Sequence, residues 1–156
     1  MLGASDKAPE IELLTPDGKA YRRNRLTLAL FFKTTCPTCQ YAWPFYERLH
    51  LAYHTAGLNV VGISQHEPER TQAFGIQHGS TFPLLIDEGH KLAHAYAPDF
   101  VPTGFLIDSN GQIVATAVAW NREQFEQLGA HIAGQLGVKP KTVISPGESV
   151  IEFKPG

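Results

Sequence analysis

The residues LTLALFF, 26–32, form a continuous apolar run of strand length, and both cysteines of the chain follow almost at once, at Cys36 and Cys39 in KTTCPTCQYAWPFYERL. An apolar run without alternation predicts a strand covered on both faces. From Pro37 to about Thr55 the spacing turns helical, with Tyr41, Phe45, Leu49 and Ala52 on one face and Gly57 as the expected C-cap. LNVVGIS reads as a second buried strand. Two buried strands joined by a helix make a βαβ unit, so the strands should be parallel and the crossover right-handed. The fold class is therefore α/β.

The remaining pattern extends that unit without suggesting a second core. IELLTPDGKAYRRNRL predicts two short strands around a Pro-Asp-Gly turn, an N-terminal β-hairpin. Helices are expected around PERTQAFGIQHG and HKLAHAYA, with FPLLID between them, in an inserted segment near residues 65–98. TGFLIDSNGQIVATAVA gives strand, Asn-Gly turn, strand. A last amphipathic helix covers REQFEQLGAHIAGQL, where Phe125, Leu128, Ile132 and Leu136 share a face. One domain is expected over 1–137, followed by a tail at 138–156 that is either a loose arm or an added edge strand. The sheet should hold about five strands.

Composition narrows the function classes. A net charge of −2 offers no basic surface for nucleic acid, and no apolar run reaches the roughly 20 residues of a bilayer span. MLGASDKAPE has no basic segment followed by an apolar one, so no secretory signal peptide is read there. The compartment stays open: cytoplasmic on that reading, periplasmic or extracytoplasmic for a trimmed chain.

The thiols occupy a strand-to-helix junction, where the first helical turn has unpaired N–H groups and the positive end of the macrodipole. A thiolate at Cys36 is stabilised there, and its pKa can fall from about 8.5 toward 7 or below. Pro37 suits the first helical position, because it has no N–H to leave unpaired. Cys39 falls one turn later on the inner side and can reach the Cys36 sulfur, so it can resolve a mixed disulfide that Cys36 forms. Two thiols in a chain long enough to fold unaided read as catalytic or metal-binding rather than as a structural scaffold.

From about Ala8 to Leu136 the sequence resembles the thioredoxin superfamily, most closely its redoxin branch of TlpA-like and peroxiredoxin-related (AhpC/TSA) thiol-disulfide proteins. The resemblance rests on APEIELLTPDGK, ALFFKTTCPTC, Pro44, VVGIS, FPLLID and VPTGFLIDSNGQIV in that order. It implies a thioredoxin-like fold and a thiol-disulfide oxidoreductase that works through a redox-active Cys36–Cys39 pair and no other cofactor. It also implies that Pro102, in Val-Pro-Thr, is a cis-proline set against the thiols, and that the Val101 backbone pairs with an extended substrate. Thr35, Pro37 and Thr38 complete the expected substrate contacts. The implied partners are protein thiols or disulfides, with an electron donor or acceptor that the sequence does not identify.

Four positions depart from the relatives. Thr35 and Leu30 stand where thioredoxin keeps a tryptophan and a buried aspartate, and Ala42 where members that reduce apocytochrome c often carry a glutamate. Without the usual proton relay, Lys33 or a water is the expected substitute. Lys33 also replaces the threonine of peroxiredoxins, which removes the activating hydroxyl from a thiol-peroxidase alternative. A copper or zinc carrier is the non-enzyme alternative; it needs histidines beside the thiols, and His50 with His54 or His90 with His94 have chelating spacing. Solvated helix faces account for these pairs more simply, and no metal ligand is assigned. Trp43 and Phe45 read as packing residues, with a substrate groove as the other option. Pro44 reads as an exposed kink or a shaper of the site, and Arg22, Arg23 and Arg25 as a solvated edge.

Overall fold

The computed structural model describes residues 1–156. Its centre is β3 (Thr27–Phe32), every residue of which is buried. Successive side chains of a strand point to opposite faces, so this one strand feeds two cores. Leu28, Leu30 and Phe32 enter the larger cluster, while Ala29 and Phe31 enter the smaller. The absence of alternation in LTLALFF is thus the mark of a central strand. Helix α1 (Pro37–Tyr53) follows, and β4 (Asn59–Ser64) returns parallel to β3 over its whole length.

The other elements build outward from that unit. Helix α2 (Pro68–Gln77) leads to β5 (Leu84–Ile86), parallel to β4, and α3 (Lys91–Tyr96) leads to β6 (Thr103–Ile107), antiparallel to β3. Strand β7 (Ile113–Val118) completes the Asn-Gly hairpin with β6. Helix α4 (Arg122–Leu136) is capped at its start by the Asn121 side chain and at its end by left-handed Gly137. Helices α1, α2 and α4 cover the face with the larger core, and α3 the other. This is the expected α/β layering with helices on both faces.

The sheet has seven strands rather than about five, in the order β2 (Ala20–Arg22), β1 (Glu12–Leu14), β5, β4, β3, β6, β7. The difference comes from the N-terminal hairpin, β1 and β2, which joins the sheet through an antiparallel Leu14–Ile86 pair instead of standing apart. A second, two-stranded sheet pairs β8 (Trp120–Asn121) with β9 (Phe153–Lys154). Two smaller expectations are corrected. Helix α1 stops at Tyr53, and Gly57, at φ 120°, closes a following 3-10 turn over His54–Ala56. Arg23 is buried, donating to the Asp108 carbonyl at 3.1 Å across the β6–β7 turn, whereas Arg22 and Arg25 are exposed.

Candidate active site

The parallel strands β3 and β4 end on one edge of the sheet, and the chain leaving β3 reaches α1 through only four residues, Lys33–Cys36. That short link is fixed from both sides. The Thr34 amide donates to His66 Nδ1 at 3.2 Å, the Thr34 hydroxyl meets the same ring nitrogen, and the Gln40 side chain donates to the Thr34 carbonyl at 3.0 Å. Nδ1 must be unprotonated to accept from an amide, and His66 is held neutral by burial first, which lowers its pKa. Cys36 then becomes the N-cap of α1, its sulfur accepting the Cys39 N–H at 3.3 Å in place of the usual hydroxyl or carboxylate oxygen.

That position explains the acidity of Cys36. Its pKa is lowered to about 6, first by the Cys39 thiol, which donates to the Cys36 sulfur, then by the Cys39 and Thr38 amides and the Lys33 charge, with burial opposing. Cys39 is shifted the other way. It is fully buried, and burial first, then the neighbouring Cys36, push its thiol far above the ordinary range. The two thiols are therefore divided by environment into one that ionises at neutral pH and one that stays protonated. Cys39 also faces the fully buried Tyr46, whose phenol is pushed up first by burial and then by Cys39.

Across from the pair, the Val101–Pro102 peptide is cis. The Val101 carbonyl accepts from the Cys36 thiol at 3.5 Å, and Pro102 is buried beneath it. Cys36, Cys39, Val101 and Pro102 thus come together. Thr35 and Pro37 lie exposed on the rim. Thr38 is only 3% exposed and its hydroxyl donates to the Pro155 carbonyl, so it faces the chain's own tail. The sequence reading missed that tail contact; the β-branched and aromatic residues of SVIEF are the one signal that pointed to ordered packing. It also missed His66, which looks like a solitary loop histidine in the sequence.

The residues with open alternatives are placed as well. Trp43 is fully buried against Phe32, Phe74 and Phe82, and Phe45 stacks on Trp120, so both pack the core. Pro44 is exposed within an uninterrupted α1. His50 and His54 stack at 4.9 Å, and the structure contains no group of three or more His, Cys, Asp or Glu side chains arranged for one ion. Leu30 and Ala42 are fully buried, so neither departure supplies a proton acceptor beneath Cys39.

Comparison with known proteins bears on the family and the fold. The AhpC/TSA family matches residues 4–116. The thiol-disulfide oxidoreductase ResA of Halalkalibacterium halodurans is 34% identical over 115 residues, which cover 73% of this chain and 62% of that protein. The chain thus spans under two thirds of that relative's length. A Chlorobium tepidum structure assigned the name thiol:disulfide interchange protein DsbE superposes with a TM-score of 0.79 at 24% identity, covering 88% of this chain and all of that one. The peroxidoxin BcpB of Mycobacterium tuberculosis superposes with a TM-score of 0.72 at 16% identity, covering 89% of this chain and 99% of that one. At these identities the structural matches bear on the fold, which is thioredoxin-like.

Proposed function

Because the chain belongs to the AhpC/TSA family, we propose that it is a thiol-disulfide oxidoreductase acting on protein thiols or disulfides through Cys36 and Cys39. The observation that carries this reading is the asymmetry of the pair: an N-cap sulfur with a pKa of about 6 above a buried partner held protonated. The Cys36 thiolate attacks one sulfur of a substrate disulfide, and the other sulfur leaves as a thiolate that takes up a proton. Ionised Cys36 no longer donates to the Val101 carbonyl, which is then free to accept an N–H from the substrate backbone. Cys39 then gives up its proton and displaces the second substrate sulfur from Cys36. The products are the Cys36–Cys39 disulfide and a substrate dithiol, a transfer of two electrons; the reverse sequence oxidises a dithiol.

The resolving step is where this site differs from relatives that keep an acid below the second cysteine. With Leu30 and Ala42 in the core, the Cys39 proton has no carboxylate to accept it. In place of Lys33 or a water, the departing substrate thiolate then takes the Cys39 proton, which couples Cys39 deprotonation to product release. Attack by Cys36 should accordingly be fast and resolution slow.

Reduction of insulin by dithiothreitol, followed by turbidity, tests the proposal. Wild type should accelerate it, and Cys36→Ser and Cys39→Ser should each abolish the acceleration. Cys36-dependent consumption of hydrogen peroxide without insulin reduction would transfer the site to the peroxidase reading.

A further inference from the structure

The segment after α4 runs back along the whole of α1. Going down that helix, the Lys141 amide donates to the Tyr53 hydroxyl at 2.8 Å, and Arg48 donates to the Val143 carbonyl at 3.2 Å and to both Glu148 oxygens at 3.0 and 2.8 Å. The Ile151 amide then donates to the Tyr41 hydroxyl at 2.9 Å, and the Ile151 carbonyl accepts the Trp120 indole N–H at 2.6 Å. The strand pair β8–β9 follows, with the Arg122 amide donating to the Glu152 carbonyl at 2.9 Å. The last contacts are made on the active site itself. The Pro155 carbonyl accepts the Thr38 hydroxyl between the two cysteines, and Gly156 lies against the Val101 carbonyl that takes the Cys36 thiol. A Cβ on Gly156 would collide with that carbonyl oxygen and press on the Phe100 Cβ, so only a residue without a side chain fits.

The strap is fixed at its root and lightly held at its tip. Its root has a bidentate ion pair and a buried indole bond. Its tip is held by the two-residue β8–β9 pairing and by one hydroxyl bond from Thr38, and Phe153 is 59% exposed, contributing little packing. A tip held by a two-residue strand pair, on a root with an ion pair and an indole bond, has the lower cost of local opening. We propose that residues 153–156 occupy in cis the groove that receives an extended peptide of the disulfide substrate, so that substrate must displace the strap tip to reach Cys36. The proposal rests on the exchange reading and deepens it: the groove takes an extended backbone with a carbonyl toward Thr38 and a small residue against Val101.

Two variants separate this from a purely structural strap. Gly156→Val keeps every residue through 156 but excludes the tip from Val101, and a chain ending at Glu152 removes the tip while keeping the Arg48, Tyr41 and Trp120 anchors. Both leave Cys36, Cys39, Val101 and Thr38 unchanged. With the tip docked most of the time, both variants should show Cys36 alkylation by iodoacetamide at pH 7 faster by roughly three- to ten-fold, and a KM for insulin lower by a similar factor at unchanged kcat. The peptide FKPG, residues 153–156, added in excess to the shortened chain should slow alkylation again. If both variants melt as wild type does and show unchanged alkylation and KM, the proposal is overturned. Alkylation reports on the strap whether or not the protein exchanges disulfides. A response in alkylation without insulin reduction in any form would reject the exchange reading and retain the strap.

Discussion

At the scale of single residues, two cysteines of one type are given opposite chemistry by position alone. Cys36 is the helix N-cap with a pKa of about 6, and Cys39, one turn inward, is raised by burial. The folded pKa of Cys36 lies below that of an ordinary thiol, so its reactive form is present above pH 6 and lost below it. The rate of Cys36 alkylation in the reduced protein, followed by mass spectrometry from pH 4.5 to 9, should rise through a midpoint near 6 and be flat by about pH 8. A midpoint near 8.5, the ordinary thiol value, would remove the Cys39 thiol bond and the N-cap amides as causes of the acidity. The cysteine spacing and the proline after Cys36 were legible in the sequence because each acts within one helical turn. His66 was not, since its bond to Thr34 closes a contact between residues 32 positions apart.

At the scale of elements, the aim of α1 depends on how closely it approaches β4. Gly62 in the middle of β4 lets Trp43 of α1, Phe32 of β3 and Leu84 of β5 converge. A Cβ there would lie 2.7 Å from Leu84 and 3.0 Å from both aromatic rings. Gly62→Ala should cost about 1–3 kcal/mol of stability in urea denaturation, because none of these buried side chains has room to withdraw. The central βαβ unit was readable because LTLALFF and LNVVGIS carry the signature of strands covered on both faces. The hairpin's junction with the sheet was not readable, since it rests on a single Leu14–Ile86 pair between strands of three residues each. Arg23 misled for a related reason: its burial depends on the β6–β7 turn, 85 positions away.

At the scale of the whole molecule, the strap ties α4, α1 and the site into one body. Its register was hidden in the sequence because Pro, Gly and β-branched residues in VISPGESVIEF fit a loose arm and a short strand equally well. Trp120→Phe removes the buried indole donor to Ile151 and should destabilise the protein by about 1–2 kcal/mol. Hydrogen exchange should then show residues 149–156 losing protection before the β3 and β4 amides do. Equal loss in both regions would mean that the strap is not a separate unit. The central claim is that Cys36 attacks and Cys39 resolves, and covalent trapping tests it most directly. Cys39→Ser, incubated with an oxidised protein disulfide and analysed by non-reducing mass spectrometry, should accumulate a one-to-one mixed disulfide at Cys36, which Cys36→Ser cannot form and wild type clears. No adduct on Cys39→Ser, or an adduct carried by Cys39 in Cys36→Ser, would contradict the account.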